Sequence, residues 1–89
     1  MNDQLQVLKL RFLERCSRDL ALIERALADP AVSMTGDFVE TMHKLSGSAG
    51  SFGYPAISEL AGCVDDELMS GAPPSRESLL ALAQGLRGL

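Results

Sequence analysis

The sequence predicts an all-α protein, folded as an antiparallel up-down four-helix bundle. Three observations predict it. Apolar residues recur at three- and four-residue spacing in four stretches of the 89-residue chain. Aromatic content is only 4% and tryptophan is absent, so a core must come from Leu, Ala, Val, Ile and Met, which favours helix packing over a sheet sandwich. Breakers at Asp29-Pro30, Gly53 and Ser70-Gly71-Ala72-Pro73-Pro74 separate the stretches by short connections, and short connections make neighbouring helices antiparallel. The length suits one small domain over residues 1–89.

The first helix is predicted over about residues 3–28, with Leu5, Leu8, Phe12, Cys16, Leu20, Ile23 and Leu27 as its apolar stripe. It stops at Asp29 because the residue before a proline avoids the helical region. The second is predicted over 36–52, capped by Thr35 and stopped by Gly53, with Phe38, Met42, Leu45, Ala49 and Phe52 inward. Pro55 suits the first turn of a third helix over 55–69, which buries Ile57, Leu60, Ala61, Val64 and Leu68. Ser75 caps a fourth over 75–87, carrying Leu79, Leu82, Ala83 and Leu86.

The bulk numbers exclude several classes. A hydrophobic share of 46% is ordinary for a globular core. A net charge of -4 argues against nucleic acid, whose binding rests on basic contacts to phosphates. No apolar run approaches the ~20 residues that span a bilayer, so no membrane partner is expected. The polar start Met1-Asn2-Asp3-Gln4 is not a secretory signal. Cys16 and Cys63 lack metal-ligand spacing, and the single histidine supplies no second ligand. Both cysteines are read as reduced core residues, which points to a cytoplasmic setting without a metal; the chain is expected to be a monomer.

The one histidine opens the run His43-Lys44-Leu45-Ser46-Gly47-Ser48-Ala49-Gly50-Ser51-Phe52-Gly53. Gly47 and Gly50 follow it by four and seven residues, which on a helix is one face. Glycine inside a helix costs roughly 0.5–1 kcal/mol relative to alanine. A face stripped of side chains beside an imidazole therefore suggests that something bulky approaches the ring. His43 is one residue past Met42, about 100° round the helix from the core stripe, so the ring is expected to be open to solvent.

This run, through His43, Leu45, Gly47, Ala49, Gly50, Phe52 and Gly53, resembles the signature of histidine-containing phosphotransfer (HPt) domains, and Pro55-Ala56-Ile57-Ser58-Glu59-Leu60-Ala61 resembles that family's next helix. The resemblance implies a phosphorelay intermediate of two-component signalling. It would accept and donate a phosphoryl group on His43, to and from the aspartates of receiver domains, one of them carried by a hybrid histidine kinase. The receiver would bring the Mg²⁺, so this chain would need no cofactor and would not be an enzyme on its own. The chain departs from the family at Ser46, where a lysine is usual. Histidine suits the role because it titrates near neutrality, and its neutral ring nitrogen is a nucleophile that can attack phosphorus.

Supporting residues follow from the resemblance, for Ser46, and from helix geometry, for Lys44 and Asp65. Ser46 offers a neutral hydrogen bond where a lysine would bring charge. Lys44 lies about 100° round the helix from His43; its stem either reaches the ring or is solvated. Equal rise along antiparallel helices sets His43 opposite residues 61 to 65, and Asp65 is one step off its core stripe, as His43 is. Its carboxylate is placed to accept from Nδ1 and leave Nε2 free; the competing reading is a solvated acidic face of Asp65, Asp66 and Glu67. Arg11, Arg15 and Arg18 form a basic stripe at 4 and 3 spacing, either a solvated face or the border of a docking surface. Leu10 and Leu13 either form an exposed apolar patch or widen the packed face.

Two rival functions remain open. A histidine domain of the chemotaxis-kinase type carries a similar motif and takes phosphate from ATP through a kinase domain. A non-catalytic helical adaptor would bind a receiver without transfer, and Ser46 is its best support.

Overall fold

The computed structural model describes residues 3–89. Among them are four α-helices and no strand: α1 (Asp3–Ala28), α2 (Gly36–Ala49), α3 (Pro55–Met69) and α4 (Arg76–Arg87). They alternate in direction to make the up-down bundle. The α2–α3 pair packs most intimately, α4 lies against α3 and α1, and two short 3₁₀ segments occupy connections. No helix among the described residues is long and apolar enough to cross a membrane.

Each helix begins and ends for a local reason. Asp29 closes α1, and its carboxylate accepts from the Ala31 amide at 3.1 Å. The 3₁₀ segment Pro30–Met34 follows, a turn not foreseen in the sequence. Its Ser33 is buried, with Oγ donating to the Pro30 carbonyl at 2.7 Å. Thr35 caps α2 by accepting from the Phe38 amide. Ser75 caps α4 by accepting from the Ser78 amide, so α4 starts at Arg76 rather than at its cap. The expected second helix divides: α2 ends at Ala49, and Gly50–Phe52 tighten into 3₁₀. Gly53, at φ 89°, makes the reversal. The Tyr54 amide returns to the Ala49 carbonyl at 2.9 Å and the Gly53 amide to Gly50 at 3.1 Å. This pair of bonds needs a left-handed residue at Gly53, which a side chain disfavours.

The core joins Phe12, Cys16 and Ile23 of α1, Phe38, Met42, Leu45 and Ala49 of α2, Ile57, Ala61 and Val64 of α3, and the four expected residues of α4. Leu13, Leu20, Leu27, Phe52, Leu60 and Leu68 are partly buried against it. Phe12 stacks on Phe52 at 4.8 Å and on Tyr54 at 5.7 Å, which seals the end of the bundle above α2. Two residues of the expected α1 stripe are outside it. Leu5 is 64% exposed and Leu8 48%. The 26 residues of α1 run about 39 Å, whereas the 14 of α2 run about 21 Å, so α1 overhangs its neighbours and its stripe outlasts them. Leu10 is exposed and Leu13 half-buried, so the two divide between the readings offered for them. Cys63 is exposed, against expectation, while Cys16 is buried; both are free thiols. Burial, and then the nearby Asp19 charge, push the Cys16 thiol up to about 11, against a smaller lowering by Arg15.

Candidate functional site

His43 stands midway along α2 with its side chain 75% exposed. Leu45 and Met42 on either side of it face the core, and this rotates the imidazole outward. Across the α2–α3 seam, Asp65 points its carboxylate at the ring. Oδ2 lies 3.1 Å from Nδ1, within hydrogen-bond distance, so Nδ1–H donates to it. The Asp65 side chain is only 13% exposed. Its Oδ1 is buried without a hydrogen-bond partner, so the ring is the sole protein partner of this carboxylate among the described residues. A nearly buried anion with one partner is a strong orienting group, because turning away would leave it unpaired in a poorly solvated place.

The other expected site residues are arranged differently. Ser46 Oγ donates to the His43 backbone carbonyl at 2.9 Å, so its hydroxyl is committed to its own helix and not to the ring. The Ser46 carbonyl in turn accepts from Ser58 Oγ, which ties α2 to α3 just past the site. Lys44 Nζ is 2.8 Å from Glu40 Oε1, one turn back, so the stem that could have reached His43 is engaged elsewhere. That hydrogen bond, helped by the lysine charge, holds the Glu40 carboxyl below its usual range. Gly47 is exposed, and a Cβ placed there would meet nothing within 4 Å. At Gly50 a Cβ would meet only Ser58, at ordinary contact distance of 3.8 Å. Neither glycine is demanded by packing within the bundle, and together they leave the α2 surface beyond His43 flat.

On the other side of the ring lies a shallow depression lined by Met34, Val39, His43, Asp65 and Met69. Met34 is 54% exposed and Met69 74%. These methionines were not read from the sequence. The available signal was spacing: Met69 is four residues past Asp65, hence on the same face of α3, and Met34 immediately precedes the α2 cap. Arg15 was read only as part of a stripe; it reaches across to α2, where its guanidinium donates to Ser48 Oγ at 2.7 Å.

The arrangement can present one nucleophilic ring nitrogen with a fixed proton on the other. It gathers no group of three or more His, Cys, Asp or Glu suited to a metal among the described residues. No curated protein and no solved structure matches the chain. The family model of the Hpt domain, whose members are histidine phosphocarriers of phosphorelay signalling, matches residues 7–89, and the chain belongs to that family.

Proposed function

We propose that the chain is a phosphorelay intermediate that carries a phosphoryl group on His43 Nε2 between receiver-domain aspartates, one of them in a hybrid histidine kinase. The observation that supports this most directly is the outward imidazole held at Nδ1 by Asp65. With its proton on Nδ1, the neutral ring has its lone pair on Nε2. Attack on a receiver aspartyl phosphate forms the N–P bond as the P–O bond to that carboxylate breaks, and the receiver's aspartate leaves with the electron pair. The ring takes on positive charge, which the Asp65 carboxylate stabilises. Return to a second aspartate runs the same step backwards. Mg²⁺ and most of the stabilisation of the transferring group belong to the receiver's site in this reading. The open surface over Gly47 and Gly50 lets that site approach.

A second reading has its own support. Ser46 and Lys44 are both engaged away from the ring, so neither brings a donor or a cation to it. An adaptor that docks a receiver without transfer would have no need of one.

The test is incubation with a panel of phosphorylated receivers, and separately with ATP and a histidine-kinase domain. The expected result is acid-labile, base-stable label on the parent chain from a receiver, and none on a His43→Gln variant of unchanged helicity. Label persisting in that variant refutes the assignment of His43. Label from the kinase alone makes the chain a kinase-fed histidine domain, and receiver binding without label favours the adaptor.

A further inference from the structure

The sequence places Gln4, Leu8, Arg11, Arg15, Arg18 and Leu22 at alternating spacings of four and three, one continuous face of α1. The Arg15–Ser48 hydrogen bond fixes where that face looks: toward the flank of α2 formed by Lys44 and Ser48, whose Oγ donates to the Lys44 carbonyl. His43 is on the other flank of α2, toward α3 and Asp65, with the exposed Gly47 between the two, so the arginine face and the ring border the same outer surface of α2 from opposite sides. Arg11 and Arg18 are exposed, and among the described residues neither lies within ion-pair or hydrogen-bond distance of any partner. Among the described residues, Arg11 and Arg18 are thus unpaired cations in a chain with 8 basic and 12 acidic residues, on either side of an Arg15 that bonds Ser48 and lies 4.0 Å from Asp19. At the top of the stripe Leu8 is half-exposed where α1 overhangs the bundle.

We propose that this face of α1 is the second half of the docking surface centred on His43, and that it grips the acidic rim of the receiver that exchanges phosphate there. The inference rests on the phosphorelay reading and names the residues that select the partner. Reach supports it. With Arg15 beside Ser48, antiparallel rise sets His43 near the level of residue 20, so Arg11 is about 13 Å and Leu8 about 18 Å along the axis from the ring. A standard interface takes about 800 Å² from each partner, a disc of radius about 16 Å. A partner seated over His43 therefore covers Arg18 and Arg15 and reaches Arg11 near its edge, while Leu8 lies beyond it. Charge complementarity supports it as well, since a phosphorylatable aspartate with its Mg²⁺-binding carboxylates makes an acidic mouth. Because Lys44 and Ser46 are engaged elsewhere, the arginine edge is the nearest unspent positive charge on the α1 side of the ring. The stripe acts on encounter and affinity rather than on the bond-making step, because it does not touch the ring.

The experiment uses the full chain and two readouts, receiver binding by calorimetry and phosphotransfer to His43 against concentration. In the double variant R11E/R18E, Kd and the half-saturating concentration should rise at least tenfold while the saturated transfer rate stays within about twofold. The parent should weaken with added salt more steeply than the variant. Among the described residues neither side chain makes a hydrogen bond, but Arg18 attracts the buried Asp19 carboxylate, so circular dichroism and a thermal melt verify that R11E/R18E is folded at the assay temperature, and R11E alone should weaken Kd in the same direction. Unchanged Kd and half-saturation in the variant overturn the inference while leaving His43 as the carrier. A tenfold weaker Kd for a receiver that never labels His43 upholds the docking face and sinks the phosphotransfer reading instead. Concentration-dependent self-association of the parent that R11E/R18E abolishes would assign the face to a second copy and overturn the receiver proposal.

Discussion

At the residue scale, the site is organised around one hydrogen bond that joins two helices. Asp65 was legible from the sequence only as a position: equal rise from the turn at Gly53 set it opposite His43, and each lies one step off its own stripe. The carboxylate's burial was not legible, and burial is what makes it an orienting group. Ser46 and Lys44 show the converse. Their side chains are long or polar enough to serve the ring, but competing partners one helical turn away hold them, and helix periodicity does not reveal which partner wins. Deleting the carboxylate isolates its effect. In Asp65→Ala, the fraction of neutral His43 carrying its proton on Nδ1 should fall, as read from ring ¹⁵N shifts, which are unambiguous with a single histidine. Transfer should slow by about 10-fold or more, because a hydrogen bond to a charged group contributes about 1.5–3 kcal/mol and the ring loses it as it becomes positive, with helicity retained. An unchanged tautomer ratio would reduce Asp65 to a surface charge.

At the scale of elements, the helices were legible because apolar period, caps and breakers agree. Thr35, Ser75, Pro55 and Gly53 each fill the expected place. The errors share a cause. Periodicity names the face a helix would bury but not whether a neighbour extends far enough to bury it, so Leu5 and Leu8 continued a stripe past the ends of the other helices. Likewise Gly50–Phe52 kept the apolar period while the backbone tightened toward the Gly53 reversal. Within α2, the proposed function makes Gly47 a position where local stability is set against docking. A leucine there meets open space and gains helix propensity, about 0.5–1 kcal/mol relative to glycine. Gly47→Leu should therefore raise the melting temperature by a few degrees, while the transfer rate from a phosphorylated receiver falls at least tenfold because the new side chain stands beside His43. Normal transfer in a stabilised Gly47→Leu chain would mean that the flat surface serves something other than the receiver.

At the scale of the whole molecule, the chain keeps one destabilising charge inside its core. Asp19 is 7% exposed on the inner side of α1, and its Oδ2 has no hydrogen bond, with Arg15 Nε only at 4.0 Å. Desolvation pushes its carboxyl above the usual range, and the opposing pull of Arg15 and Arg18 is smaller. Nothing in the hydrophobic pattern flagged it, because an aspartate four residues after Arg15 reads as an ordinary surface pair. The sign of its linkage is set by the raised value. Between the unfolded carboxyl's 3.8 and the higher folded value, the native state binds more protons than the unfolded one, so stability falls as pH rises through that window. Above the window the whole cost is present; below 3.8 it is absent. An amide is much cheaper to bury than a carboxylate, so Asp19→Asn should stabilise the bundle at pH 7 by about 1 kcal/mol, a shift of roughly 4–8 °C for a domain of this size. Thermal melts of both chains from pH 7 down to pH 3 should show the advantage shrinking as Asp19 takes up its proton and closing below the unfolded value. An Asp19→Asn chain that melts lower than the parent at pH 7 would mean that the attraction to Arg15 and Arg18 outweighs the desolvation, and that the buried carboxylate holds α1 in place.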